Sequence, residues 1–222
     1  MLDIHTHLLP NVDDGSRSLE QSISMIKQEI KEGVTEAIVT PHFYFHHYEA
    51  SKEKILEAYE LLNKEIAKQN LDFKLYLGQE ICYTTQVDII QMLKDGRLFT
   101  LNNSRYVLLE FRLGKRPEGI EDIVYQFSLH GYKVVIAHVE RYDWIDYDLA
   151  DYLFKEGAIL QVNDDSIFNI RNFKKYRLTH KLLKKKKVSF IASDIHSFRP
   201  SRMKKAMKKY SKYLVNDGIS LI

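Results

Sequence analysis

The chain has 222 residues, 45% of them hydrophobic and 28% charged. That is enough apolar material for a packed core and too much for a disordered tail. Its 33 basic and 30 acidic side chains leave a net charge of +3, unevenly spread: residues 1–110 sum to −6 and residues 111–222 to +9. The single cysteine, Cys82, excludes an internal disulfide framework and fits a reducing cytoplasm. Asp88 stands where the arginine of a C-x5-R thiol-phosphatase loop would be, and no apolar run is long enough to span a bilayer.

The opening Met1-Leu2-Asp3-Ile4-His5-Thr6-His7 has neither the basic start nor the apolar core of a signal peptide. Residues 2–4 read as a first strand. Ser18 and Gln21 then form a capping box ahead of Ile23, Ile26 and Ile30, and Gly33 stops that helix. A second strand is expected at 37–40, followed by a helix carrying Ile55, Tyr59, Leu62 and Ile66. Strands at 73–77 and 106–111 flank a short helix opened by Thr85 and Asp88. Further strands at 134–137, 158–162 and 188–192 alternate with helices at 120–129, 149–154, 171–186 and 202–214. The seven apolar runs are continuous rather than alternating, as in strands covered on both faces. Strand–helix alternation through right-handed crossovers implies an α/β parallel barrel, one strand short of the usual eight.

Nearly every strand runs straight into a metal-ligand type of residue: His5 and His7, then His42, Glu80, Glu110, His138, and Asp194 with His196. Asp14 lies in the first loop, with Asp13 as its competitor. In a parallel barrel these carboxyl ends share one rim, where active sites assemble. Five imidazoles and four carboxylates exceed what one tetrahedral ion takes and suit two or three divalent ions. Hard oxygens and imidazoles without thiolate favour Mn, Fe or Zn. Three such ions, four carboxylates and a hydroxide leave the site near +1, and Arg141 adds another positive charge. The expected substrate is therefore an anion such as a phosphate ester, attacked by water that the metals acidify.

These blocks resemble the polymerase-and-histidinol-phosphatase (PHP) domain proteins and, more closely, the CpsB/CapC group of bacterial manganese-dependent protein-tyrosine phosphatases. The matching segments are Leu2-Asp3-Ile4-His5-Thr6-His7 through Asp14-Gly15, Thr40-Pro41-His42, Gly78-Gln79-Glu80, Leu109-Glu110-Phe111, Ala137-His138 through Tyr142, and Ala192-Ser193-Asp194-Ile195-His196. They span residue 1 to about 200. The resemblance implies a distorted (β/α)7 TIM-like barrel, one domain over residues 1–222, with three divalent ions, manganese before iron or zinc. It assigns one ion to His5, His7, Glu80 and Asp194, a second to Glu80, Glu110 and His138, and a third to Asp14, His42 and His196. It gives catalytic roles to Asp14, His42, His196 and Arg141. Arg141 matches the family's phosphate-binding arginine, and Arg199 and Arg202 bracket the place of a second one, here Ser201. It further implies a tyrosine-phosphorylated protein partner, a cognate bacterial tyrosine kinase of capsule or exopolysaccharide export.

Other readings remain beside this one. A related PHP-type enzyme would act on histidinol phosphate or as a nuclease, and the basic residues from Arg171 onward keep nucleic acid in view, although no aromatic–basic RNA motif is present. A binding module would keep the metals only for structure. His46 and His47, set among Phe43, Tyr44, Phe45 and Tyr48, are candidates for a pocket wall or for a loop with ordinary aromatic packing. Asn163, Asp164 and Asp165 are read as rim or cap residues.

Overall fold

In the computed structural model, which describes residues 1–215 and 218–221, all seven predicted strands form. Asp217, one of the two acidic residues in the basic carboxyl-terminal stretch, lies outside the described residues. The strands are β1 (Leu2–Thr6), β2 (Glu36–Val39), β3 (His42–Phe43), β4 (Lys74–Leu77), β5 (Glu80–Cys82), β6 (Tyr106–Glu110), β7 (Lys133–Ile136), β8 (Ile159–Asn163) and β9 (Phe190–Ala192). The helices are α1 (Leu19–Lys31), α2 (Lys52–Lys68), α3 (Ile89–Lys94), α4 (Ile120–Leu129), α5 (Tyr147–Lys155), α6 (Phe173–Lys184) and α7 (Met203–Tyr210).

Two of the expected strands, 37–40 and 73–77, are each followed after a short break by a further short strand that the sequence reading did not include. Pro41, with no N–H to give to a ladder, separates β2 from β3. Gly78 separates β4 from β5, and a side chain there would meet Ile38 and Leu101 at 2.8 and 2.9 Å. The pieces stay in partnership: β2 pairs with β4, β3 pairs with β5, and His42 stands opposite Glu80. Both residues thus sit inside strands rather than after them. Every pairing between these strands is parallel, in the order β1-β2-β4 and then β3-β5-β6-β7-β8-β9. The curled sheet is drawn together where Asp194 N donates to His5 O at 2.9 Å and His7 N to Ile195 O at 3.2 Å.

Alternation along each strand explains both cores. Val107, Leu109, Val134, Ile136, Leu160 and Val162 face outward and pack with Ile26, Leu62, Phe127 and Leu182 of the helices. Ile4, Ile38, Leu108, Val135, Ile159 and Ala192 fill the barrel interior. One residue pair further along the inward face, the chain turns polar: Glu110 follows Leu108, Gln161 and Asn163 follow Ile159, and Asp194 follows Ala192. A register shift in β1 between Asp3 and Thr6 adds one residue, so Asp3 serves the closing strand while His5 is aimed inward. Asp3 accepts from the backbone N–H of His5 and of Ser193, which ties β1 to the end of β9.

Outside that seam, Glu29 of α1 is fully buried with neither carboxyl oxygen hydrogen-bonded. Burial, aided by Asp3 and Asp164, pushes its pKa up to about 9. A carboxyl whose folded pKa lies above its unfolded one contributes stability that is complete below the unfolded value and lost as pH climbs towards the folded value. Wild-type melting temperature should therefore fall between about pH 5 and pH 9, and Glu29→Gln should flatten that slope. At about pH 8 the glutamine variant is expected to be more stable by about 1–2 kcal/mol, a few degrees in a melting curve.

Candidate metal centre

The rim residues converge by different local routes. His42, Glu80 and Glu110 project from strands. His138 and Asp194 come two residues after β7 and β9 in left-handed backbone, with φ of 31° and 49°. Non-glycine residues adopt that region at a cost, and functional sites are where such strain collects. Here it turns the chain sharply enough to send both side chains towards the shared centre. Asp14 arrives on a loop folded tightly against His7, where a Cβ on Gly15 would lie 2.3 Å from His7 O.

The structure brings all nine predicted residues together. His5 Nε2 lies 3.1 Å from Glu80 Oε2, 3.2 Å from His7 Nε2 and 3.6 Å from Asp194 Oδ1. His7 Nε2 lies 3.3 Å from Glu80 Oε2 and 3.5 Å from Asp194 Oδ1. Ligands about 2.1 Å from a tetrahedral ion stand about 3.4 Å from each other, so these spacings fit a shared cation. Glu80 Oε2 also lies 3.0 Å from His42 Nδ1, yet neither atom makes a hydrogen bond. A buried carboxylate oxygen faced by three imidazole nitrogens without hydrogen-bond geometry fits a bridging metal ligand. Its other oxygen, Oε1, lies 2.9 Å from His138 Nε2, with Glu110 Oε2 3.8 Å beyond. On the open side Asp14 Oδ1 is 3.5 Å from both His42 Nε2 and His196 Nε2.

Neighbouring groups fix which ring nitrogen faces the centre. His5 Nδ1 donates to Gln161 Oε1 at 3.2 Å, His7 Nδ1 to Asp13 Oδ2 at 2.7 Å, and His196 Nδ1 to Asp194 O at 2.9 Å. Each leaves an Nε2 lone pair for a cation. Asp13 is thereby committed to His7 and to the backbone N–H of His42, which leaves Asp14 as the loop carboxylate near the centre. Burial would lower the His42 pKa, but the Glu80 and Glu110 carboxylates outweigh it and raise it to about 9. His138 goes the other way, held below the usual histidine value by burial and by Arg141. Burial would lift Asp194, yet His5 and Arg199 keep it well below the carboxylate range.

Two supports were not assigned in the sequence reading, which left Gln161 out and took Asn163 only as a rim or cap residue. Gln161 Oε1 also accepts from His138 N at 2.7 Å, its Nε2 donates to Asn163 Oδ1, and Asn163 Nδ2 donates to Asp194 Oδ2 at 2.7 Å. The available signal was two amides alternating on a strand otherwise buried and apolar. Asp164 and Asp165 stay off the centre; Asp164 receives the backbone N–H of Arg202 and the Ser201 hydroxyl.

Above the centre opens a mouth of about 470 Å³. Arg141 Nη1 and Arg199 Nη1 both donate to Asp194 Oδ2, at 3.0 and 2.5 Å, and both line this mouth. Arg202 does not: its exposed side chain lies outside the lining, because the segment after His196 folds back on itself and only its backbone is used. Tyr44, Tyr48 and Phe198 form aromatic walls, with Tyr48 stacked on His42 at 5.6 Å. His46 and His47 instead pack on Phe45 and Tyr44 outside the lining. Cys82 lines the mouth, but burial beside Glu110 pushes its thiol up to about 12, far from a thiolate nucleophile. His130 and His180 are remote from the centre; His180 bridges Ile167 O and the Tyr210 hydroxyl.

A parallel α/β barrel whose carboxyl rim gathers imidazoles and carboxylates around shared points defines a metal-dependent hydrolase barrel. The comparisons with known proteins carry this further. The chain belongs to the CpsB/CapC family: the family model for capsular polysaccharide synthesis, CpsB/CapC, matches residues 1–221. It is 33% identical to the tyrosine-protein phosphatase CpsB of Streptococcus pneumoniae over 224 residues, covering 95% of this chain and 91% of that one. It is 32% identical to the tyrosine-protein phosphatase YwqE of Bacillus subtilis over 201 residues, covering 90% of this chain and 78% of that one. A solved chain from work on YwqE and CpsB, described as metal-dependent tyrosine phosphatases, superposes with a TM-score of 0.88 at 30% identity, covering 100% of this chain and 89% of that one. A histidinol phosphate phosphatase from Lactococcus lactis shares the fold, with a TM-score of 0.60 at 13% identity, over 99% of this chain and 95% of that one. Among the described residues no helix is long and apolar enough to cross a membrane.

Proposed function

We propose that this chain is a metal-dependent protein-tyrosine phosphatase of one domain, acting in the cytoplasm on a cognate bacterial tyrosine kinase that governs capsule or exopolysaccharide synthesis. One observation carries the reading: Glu80 faces His5, His7 and His42 without hydrogen-bonding to them, directly beneath a mouth edged by two guanidinium groups. His5, His7, Glu80 and Asp194 would hold one ion, Glu80, Glu110 and His138 a second, and Asp14, His42 and His196 a third. The oxygen-rich, thiolate-free set suits manganese, with iron and zinc as alternatives. Divalent ions there supply Lewis acidity and bring the pKa of water towards about 7.

The remaining chemistry belongs to the side chains. Arg141 and Arg199 stand where the phosphate enters, and Asp194 Oδ2 holds both forks in place. Asp14, half-exposed, with His42 and His196, faces the open side where phosphate and water meet. Tyr44, Tyr48 and Phe198 offer flat surfaces to the substrate ring. A phenol leaves with a pKa near 10, so an aryl ester needs less help from an acid than an alkyl one.

Purified protein stripped with chelator should lose turnover of a tyrosine phosphopeptide and regain it on addition of manganese. The same preparation should be far slower on histidinol phosphate and inert towards single-stranded DNA. Degradation of the oligonucleotide, or preference for histidinol phosphate, would replace this reading with one of the two rival chemistries.

A further inference from the structure

The mouth is not the larger cavity of the molecule. A groove of about 830 Å³ lies between the segment Ile145–Tyr147 and α6. Tyr147 and the exposed Phe173 line it with apolar rings, and Arg177, Lys181, Lys184 and Lys185 stand along it. These four cations are exposed and make no ion pair among the described residues. Lys181 rests on the Tyr147 ring at 3.7 Å and Arg177 on the Phe173 ring at 5.5 Å, so both are pre-positioned rather than free in solvent. The one carboxylate in the wall, Asp146, is already used in capping α5 at Leu149 N. Burial and the nearby Lys209 and Lys184 push the His180 pKa below the usual histidine value.

Helical spacing aligns the cations. Residues 177, 181, 184 and 185 share one face and extend over about 12 Å, the reach of about four residues of extended peptide. The groove and the mouth share no lining residue but are joined by a short stretch of chain. Arg141 lies at the mouth and Tyr147 in the groove, so at most about 20 Å of backbone separates them. Lys174 donates to Asp143 O at 2.8 Å, and Trp144 Nε1 to Arg112 O at 3.1 Å, which fastens this connecting segment to α6 on one side and to the mouth wall on the other.

We propose that the groove is a docking site for an acidic stretch of the same polypeptide that presents its phosphotyrosine to the mouth; this rests on the phosphatase reading above. The acidic residues would lie within about six positions of the phosphotyrosine. The apolar rings take an aliphatic or aromatic side chain between them, and the cations select carboxylates by complementary charge.

The test uses the manganese-loaded enzyme and two phosphotyrosine peptides that differ only in flanking glutamates or glutamines. Wild type should favour the acidic peptide by about tenfold in kcat/KM, through KM, and the advantage should shrink with added salt. The triple variant R177E/K181E/K184E should lose that preference. Its turnover of p-nitrophenyl phosphate and its melting temperature should stay at the wild-type values. Equal KM for the two peptides in wild type, or a preference that survives in the triple variant, overturns the proposal. So does tighter binding of single-stranded DNA than of the acidic peptide at this face. Should no phosphotyrosine substrate be turned over, the phosphatase reading fails by itself. The groove is then judged by fluorescence anisotropy of a labelled glutamate-rich peptide without phosphotyrosine. Salt-sensitive binding lost in the triple variant supports it, and no binding overturns it.

Discussion

Glu80→Gln is expected to cut turnover of a tyrosine phosphopeptide by at least about a thousandfold, on the scale of removing a centre that both activates water and neutralises the phosphate. The amide keeps the shape of the carboxylate but removes the charge. It also turns an N–H₂ group towards imidazoles whose lone pairs already face inward. Glu80 Oε2 is within 3.3 Å of His5, His7 and His42, while Oε1 meets His138, so one substitution disturbs all of these contacts. Metal analysis of the purified variant should show a loss of bound manganese alongside the loss of rate. A variant that retained full manganese and full activity would show that Glu80 is not the shared ligand.

Arg141→Ala separates phosphate binding from metal binding. Its guanidinium reaches Asp194 Oδ2, whereas the oxygen that faces His5 and His7 is Oδ1. Manganese content should therefore persist while kcat/KM on phosphopeptide falls by about a hundredfold, the scale of a lost charge-assisted donor at a developing charge. Arg141→Lys should recover little, because an ammonium cannot reproduce the forked donor that bridges carboxylate and phosphate. Arg199 remains on Asp194 in either variant, so the thermal stability of the protein should change little. A loss of metal equal to the loss of rate would instead make Arg141 a support of the centre.

Much of this was legible before any coordinates. Continuous apolar runs mark strands buried on both faces, and each of the seven forms. The short strands beyond Pro41 and Gly78 were not legible, because β3 and β5 are too short to carry a pattern of their own. The ligand-type residues stood out by position, one after another at strand ends. Gln161 and Asn163 did not, since an amide on a strand is unremarkable until its partner rings are located. The sequence left Arg199 and Arg202 level, because spacing alone does not show that residues 196 to 199 double back in an antiparallel bridge. The same holds for the aromatic loop. The Tyr44–Tyr48 bridge leaves both tyrosines on the mouth and moves His46 and His47 off it.

The seam between Asp194 and His5 has a consequence for how the enzyme comes into being. The two residues are almost the whole chain apart, and tethering such distant points is among the slowest and most entropy-demanding acts of folding. A nascent polypeptide still short of its final strand holds several of the necessary imidazoles but has no cage to place them in. Competence therefore waits for the last strand to clasp the first, because Asp194 and His196 are carried beyond that strand and reach the amino-terminal histidines only then.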